Sequence, residues 1–295
     1  MHWTSILSYM ASSFMIVVFN KIVLTIFSFN SIPFILFCQS LFTMVVLLAR
    51  RSVIQRPSVS ILWICILNIL NIYCGISAAS ALNVAMFSAL RRISIFTTLC
   101  GQWYFLHTKP TKSVVFSVLC MILGAIVAAS NDLSFNVNGY IFVMLNNCFT
   151  SGVQIETKRA IENDWTKTSI LFWSATLSTT LFGLQLVNFN PNSFDSWDNK
   201  AFQIAFLSSM CLGFVINWSA SWTIEKNDAL TLAVAGSTKS AIMGLFVVAG
   251  LFDPTYSFTW VNFIGLQISA IASLFYVYAV SVVKEPPKVE IDLES

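Results

Sequence analysis

Apolar residues in this chain come in unbroken runs of about twenty, the length that crosses a bilayer as a helix. Ten such runs can be read: Thr4 to Phe27, Ser31 to Ala49, Ser60 to Ser80, Leu82 to Leu106, Val114 to Ala129, Val137 to Ile155, Thr168 to Phe189, Ala201 to Ile224, Ala229 to Leu251 and Phe258 to Val283. Short polar or proline-bearing gaps separate them, with Pro191 and Pro254 in two of the gaps. Runs three and four meet near Ala81 without a polar break. Lipid cannot satisfy backbone N–H and C=O groups, so the predicted elements are helices throughout. The first run begins almost at Met1 and exceeds the apolar length of a cleavable signal, so it reads as a retained first helix. The predicted fold is an all-α membrane protein with ten transmembrane helices.

Charge placement orients these spans. With a cytosolic N-terminus, the cytosolic segments hold Arg50, Arg51, Arg56, Lys109, Lys112, Lys158, Arg159, Lys167, Lys226, Lys284 and Lys288. The opposite side holds Lys200 alone. That bias follows the positive-inside rule and places both termini in the cytosol. Residues 1–283 then form one domain, and 284–295 a short polar tail with Pro286-Pro287. A cut between spans five and six gives half-repeats of about 1–132 and 133–283, each with five spans. An odd-numbered repeat inserts in opposite orientations, so the expected plan is two inverted five-helix repeats.

Composition narrows the function. Of 295 residues, 57% are hydrophobic and 10% charged, against roughly 25% charged in soluble domains. The solvent of this chain is lipid. A net charge of +3 with no basic stripe gives no reason to expect a nucleic-acid partner. The seven cysteines fall inside apolar runs without CxxC spacing, and the two histidines, His2 and His107, are far apart. These features point to free thiols and suggest no metal site, no cofactor and no catalytic residues. A membrane enzyme would need acids or histidines near the surface, and the lumenal side offers only Asp132, Asp195, Asp198 and Asp253. Ten spans with minimal soluble segments also disfavour a receptor.

Four cations remain within the spans: Lys21, Arg91, Arg92 and Lys239. All 13 acidic residues lie in loops, at span ends or in the tail. An intramembrane Lys or Arg costs about 2.5–3.5 kcal/mol on insertion scales, and no intramembrane acid offsets it. The missing counter-charge is expected from an anionic ligand, since phosphates suit both the Arg fork and the Lys point charge. Lys21 lies near its helix end and can instead snorkel to the headgroups. Arg91 and Arg92 are neighbours, about 100° apart on a regular helix, so only one of them is expected to face a site. Lys239 sits near the middle of span nine within Gly236-Ser237-Thr238-Lys239-Ser240, where small residues admit close approach. In the expected repeat, span four corresponds to span nine, so the arginines and Lys239 occupy related positions. Other polar residues inside the spans are Gln39, Asn68, Asn71, Tyr73, Asn146, Asn147, Thr150, Asn217 and Ser219. Such residues commonly just bridge helices; Asn68, Asn71 and Tyr73 are also candidates for sugar or base hydrogen bonding.

Several segments, in order, resemble the nucleotide-sugar transporters of the drug/metabolite transporter superfamily. They are Phe19-Asn20-Lys21, Met86-Phe87-Ser88-Ala89-Leu90-Arg91-Arg92, Ser130-Asn131-Asp132-Leu133-Ser134-Phe135 with Gly139-Tyr140, Asn217-Trp218-Ser219, Asn227-Asp228-Ala229-Leu230-Thr231, Gly236-Ser237-Thr238-Lys239 and Trp260-Val261-Asn262-Phe263-Ile264-Gly265. The resemblance is to the branch carrying UDP-glucuronate, UDP-N-acetylgalactosamine and GDP-sugars. It implies a multi-pass Golgi or endoplasmic-reticulum carrier exchanging a cytosolic nucleotide-sugar for a lumenal nucleoside monophosphate, and it leaves a homodimer open. A sugar-phosphate or organic-anion carrier of the same fold, or a non-transporting relative, is the alternative. Lys239 would hold phosphates, with Gly236, Ser237 and Thr238 admitting the substrate, and Asn20 would accompany Lys21. The family's span-seven Tyr-Asn element reads Phe172-Trp173-Ser174 here, its Asn after the motif Lys reads Ser240, and its span-six acid reads Asn147. Trp173, Asn147 and Asn217 complete the expected substrate-binding set.

Overall fold

A computed structural model describes residues 2–29, 31–50, 54–82, 87, 90–129, 136–186, 194–248 and 259–283. Among the described residues there is no strand, and ten α-helices have 13 residues or more. They are α1 (Trp3–Lys21), α2 (Ile32–Ala49), α3 (Val59–Ala81), α4 (Ile93–Phe105), α5 (Lys112–Ala129), α6 (Val137–Glu162), α7 (Lys167–Gln185), α8 (Lys200–Lys226), α9 (Ala229–Val248) and α10 (Trp260–Val283). A π-helical turn, Ile22–Ile26, prolongs α1. Each helix falls on one of the apolar runs. Segments 130–135 and 284–295, the loop motif opening span six and the tail, lie outside the described residues, as do Pro191 and Pro254.

Local chemistry sets the helix starts. Ser31, Ser58, Asn136, Thr166 and Asn199 cap α2, α3, α6, α7 and α8, each side chain accepting from a backbone N–H in the first turn. Asp228 does the same for α9 by accepting from Thr231 N at 2.7 Å. Such caps satisfy donors that a helix start otherwise leaves orphaned. Five described segments are long and apolar enough to cross a membrane unaided: Trp3–Leu24, Ile32–Ala49, Val59–Ala81, Lys200–Lys226 and Phe263–Val280.

Large apolar side chains crowd the outside. Phe116, Leu119, Leu123 and Ile126 are exposed at helical spacing along one face of α5, and Ile264, Ile271, Leu274 and Tyr278 on α10. Whole apolar helix faces without a protein partner are what lipid requires and water forbids. The chain is a multi-pass membrane protein.

The most extensive helix pairings are α5 with α10, α3 with α6, α1 with α8, α2 with α7 and α4 with α6. Next come α2 with α8, α4 with α9, α1 with α9 and α3 with α7. Small polar side chains stitch these seams. Ser12 Oγ meets Ser219 Oγ at 3.1 Å across α1 and α8, and Asn20 Oδ1 accepts from both Ser209 Oγ (2.6 Å) and Gln39 Nε2 (3.1 Å). Asn227, between α8 and α9, accepts from His2 N at 2.8 Å and donates to Ser5 Oγ at 3.2 Å, while its carbonyl accepts from Lys158 Nζ at 3.1 Å. One residue thereby joins the beginnings of α1 and α9 to the ends of α6 and α8.

The α5–α10 seam depends on Gly124. A Cβ there would lie 2.7 Å from both Gly265 O and Ser269 N, backbone atoms that have no rotamer escape. Gly124→Ala is therefore expected to cost about 1–3 kcal/mol through overpacking, read as a lowered melting temperature in detergent. An unchanged melting temperature would show that the two helices are not held at this distance.

Candidate functional site

Four helices surround one internal cavity. Tyr9 comes from α1, Arg91, Arg92 and Ser94 from the start of α4, Thr150 and Gln154 from α6, and Leu232, Ala233, Gly236 and Ser237 from α9. The water-accessible space within the cavity is about 70 Å³, and the cavity is partly open to the outside. Among the described residues that line it, two are cations and none is an acid.

The arginines sit where the helix is interrupted. Leu90 is helical, Arg91 and Arg92 form a turn, and α4 begins at Ile93. Ser94 N donates to Arg91 O and Ile95 N to Arg92 O, both at 3.1 Å. The turn is held from behind by Asn147, fully buried on α6, whose Nδ2 donates to Leu90 O at 3.0 Å. Hydroxyls close the rest of the α4–α6 seam: Thr98 Oγ1 donates to Ser151 Oγ at 2.9 Å, and Thr97 Oγ1 meets the same oxygen at 2.5 Å. A turn so braced carries its side chains on a rigid mount.

The two guanidinium groups differ. Arg91 is accessible within the cavity, its guanidinium carbon 5.6 Å from the Phe87 ring centroid, a cation–π contact. Arg92 is 1% exposed, and its Nε, Nη1 and Nη2 have no hydrogen-bond partner among the described residues. An ion removed from water without a partner costs several kcal/mol. The charge at Arg92 is thus left without a hydrogen-bonding partner among the described residues. The expectation that only one of the pair faces a site gives way here: the cavity wraps the turn, so both arginines border it.

The remaining expected residues divide clearly. Gly236 and Ser237 line the cavity, and a Cβ on Gly236 would stand 3.3 Å from the Tyr9 hydroxyl. Thr238 turns its hydroxyl back to Val234 O at 2.9 Å. Position 239 lies on α9, three residues beyond Gly236 and so on the same helix face; the Lys239 side chain and Ser240 lie outside the described side chains. Asn147 positions the arginine turn from outside the cavity. Asn71 is likewise one layer behind, its Oδ1 accepting from Thr150 Oγ1 at 2.6 Å and Asn146 Nδ2 at 2.8 Å.

Five others stand apart from the cavity. Asn20 belongs to the Gln39–Ser209 bridge, and Lys21, twelve residues beyond Tyr9, is about 18 Å further along α1. Tyr73 is 61% exposed, edge-on to Phe142 at 6.3 Å. Trp173 donates from Nε1 to Gln55 O at 3.0 Å and packs beside Ile61, Ile64 and Ile170. Asn217 is exposed and donates to Gly213 O at 2.9 Å in its own helix. Tyr9, Ser94 and Gln154 were not singled out from the sequence. Tyr9 and Ser94 are ordinary inside an apolar run, and Gln154 sits one residue before the expected end of span six.

Together these features define a multi-pass helical membrane protein with a cavity between its helices that two arginines line. A UDP-sugar transporter of Drosophila melanogaster is 33% identical over 93% of this chain and 76% of its own length. A nucleotide sugar transporter of Mus musculus is 32% identical over 99% of this chain and 93% of its own. A UDP-sugar transporter of Caenorhabditis elegans is 33% identical over 90% and 85%. No family model matches. One solved crystal structure aligns at TM-score 0.68 with 13% identity, over 96% of this chain and 100% of that one, a likeness of fold alone. The chain belongs to the nucleotide-sugar transporter family.

The closeness of Gly236 to Tyr9 yields a test of the cavity. Gly236→Leu places a side chain in the space beside the phenol. It is expected to weaken ligand-induced thermal stabilisation by about tenfold or more in affinity, 1.4 kcal/mol per decade, with the ligand-free melting temperature near wild type. Full ligand-induced stabilisation in this variant would show that the cavity is not the binding site.

Proposed function

We propose that this chain carries a UDP- or GDP-sugar across a Golgi or endoplasmic-reticulum membrane and returns a nucleoside monophosphate by alternating access. One observation carries the reading: the Arg92 guanidinium is buried beside a cavity between four helices, without a partner among the described residues. A phosphate bound there supplies the missing charge and acceptor oxygens together. Arg91 contributes from the open side, and position 239 stands on α9 three residues beyond Gly236. The names of the relatives favour nucleotide-sugars over other organic anions, since those proteins are UDP-sugar and nucleotide sugar transporters.

The pairing of helices supports ten spans in two inverted halves. Exchange each helix with the one five places away, and the major pairings map onto one another. Thus α1–α8 becomes α6–α3, α1–α9 becomes α6–α4, and α2–α8 becomes α7–α3. The pairs α2–α7, α4–α9 and α5–α10 map onto themselves. The cavity draws on α1, α4, α6 and α9, two pairs under the same exchange. Two halves rocking about such a site open it to each side in turn. The Lys and Arg bias puts both termini in the cytosol.

An unpaired buried cation resists enclosure, so the empty carrier should reorient slowly and the occupied one quickly. Two outcomes are expected. Arg92→Met is expected to abolish UDP-sugar uptake into proteoliposomes and, by removing an uncompensated buried charge, to keep or raise the melting temperature of the empty protein. Uptake that survives the substitution would remove Arg92 from the mechanism. Vesicles preloaded with labelled nucleotide are expected to release it rapidly only when nucleotide-sugar or nucleoside monophosphate is outside. Equally rapid efflux into plain buffer would exclude obligatory exchange.

A further inference from the structure

We propose that the corner where the ends of α2, α7 and α8 meet is a headgroup site for an anionic phospholipid, with Arg50 held on the face of Trp218 to receive its phosphate. The site is separate from the central cavity and does not depend on which solute is carried. The orientation given above serves only to assign it to the cytosolic leaflet.

Two cations converge there on one indole. The Arg50 guanidinium carbon stands 5.6 Å from the Trp218 ring centroid, and Lys167 Nζ stands 5.1 Å from a centroid of the same side chain. Both lie within cation–π range. Lys167 also has a counter-ion, Glu225 Oε2 at 2.6 Å across α7 and α8. Arg50 is exposed, and among the described residues its guanidinium meets no carboxylate and donates no hydrogen bond. The indole thus orients the guanidinium while its N–H donors stay uncommitted, in the planar fork that suits a phosphate.

Position decides which anion can reach it. Arg50 follows the last residue of α2 and Lys167 is the first of α7, so both stand where an apolar run gives way to polar chain, the depth of lipid headgroups. Val45 and Leu48 on α2 and Val215 on α8 are exposed apolar side chains, within about two turns of Arg50 or Trp218. They offer an acyl chain a surface that a free phosphate cannot use. The chain leading into α3 is fastened to the start of α7 by Gln55. Its backbone N donates to Ser169 Oγ at 3.0 Å and its Nε2 to Asp164 O at 3.1 Å. Its Oε1 accepts from Thr166 N and its carbonyl from Trp173 Nε1, both at 3.0 Å. Arg56, the next residue, is thereby kept exposed at the same end of α7 with no carboxylate partner among the described residues. A zwitterionic headgroup would bring a cation of its own to this corner, whereas a net anionic one meets only complementary charge.

The experiment is thermal unfolding of the purified full-length protein in neutral detergent, titrated with phosphatidylserine or with phosphatidylcholine of the same acyl chains. In the wild type, phosphatidylserine is expected to raise the melting temperature at concentrations about tenfold or more below those that phosphatidylcholine requires. Arg50→Gln is expected to weaken phosphatidylserine about fivefold, from roughly 1 kcal/mol per basic residue at an anionic surface and 1.4 kcal/mol per decade. Arg50→Lys keeps the charge and loses the fork, and is expected to weaken it about threefold. Lys112→Gln, at the start of α5, removes equal charge elsewhere and is expected to leave the titration unchanged. Equal potency of the two lipids in the wild type, or equal losses in Arg50→Gln and Lys112→Gln, would overturn the site. Full wild-type affinity in Arg50→Lys would overturn the fork on Trp218, since charge alone would then suffice. Stabilisation by glycerophosphoserine as strong as by the whole lipid would overturn the lipid as occupant in favour of a soluble anion.

Discussion

The Arg92 guanidinium, buried and without a partner among the described residues, is the constraint around which the rest is arranged. Burying an ion is unfavourable unless its charge and its donors are both met. Here the turn that carries it is braced by Asn147, and the seam beside it is closed by the Thr97–Thr98–Ser151 hydroxyls. Those bonds hold the guanidinium in place and do nothing to neutralise it. Under the proposed reading, such a fold gives up stability in the empty state for affinity in the occupied one, the trade common to functional sites.

What makes this arrangement durable is the glue between helices. Each such bond is modest, roughly 0.6 kcal/mol in measured membrane cases, so a single one decides little. Their placement matters more. Adjacent Asn146 and Asn147 point to different neighbours, one clamping Asn71 on α3 and the other Leu90 before α4. Since neighbouring positions on a helix diverge by about 100°, two consecutive asparagines on α6 can grip two helices at once. Thr150, one turn on from Asn146, extends the grip on α3 and reaches the cavity. The second layer thus fixes both where the cationic turn sits and which way a lining hydroxyl points.

The helices were almost wholly legible in the sequence because lipid imposes a simple code: every described α-helix overlaps an apolar run, although α6 continues past the expected end at Ile155 to Glu162. The join of runs three and four near Ala81 was the weakest boundary: α3 ends at Ala81, and a turn at Arg91 and Arg92 precedes α4 at Ile93. The site was half legible. Charge in an apolar run singled out Arg91 and Arg92, and small residues singled out Gly236 and Ser237. Helical projection then separated the two arginines, because it assumes a regular helix where the chain makes a turn. Asn20, Tyr73, Trp173 and Asn217 were chosen as polar or motif-matching residues within spans, a property shared by helix glue and binding groups alike. Only partners distinguish them, as the Asn20–Ser209 and Trp173–Gln55 bonds do. Tyr9 and Gln154 escaped for the complementary reason: neither is unusual until four helices bring them to one space.

A two-fold scaffold need not make a two-fold site. Under the proposed repeat, α4 and α9 are counterparts, yet α4 presents two arginines at an interrupted helix while α9 presents Gly236 and Ser237 within a continuous one. The counterparts α1 and α6 differ as well, a phenol at Tyr9 against a hydroxyl and a carboxamide at Thr150 and Gln154. Free phosphate, which is nearly isotropic, would gain nothing from such asymmetry. A ligand with an anionic middle and chemically different ends would gain orientation from it. Under the proposed rocking mechanism the helix pairing is shared by the two halves, and discrimination would rest on the lining residues by which they differ.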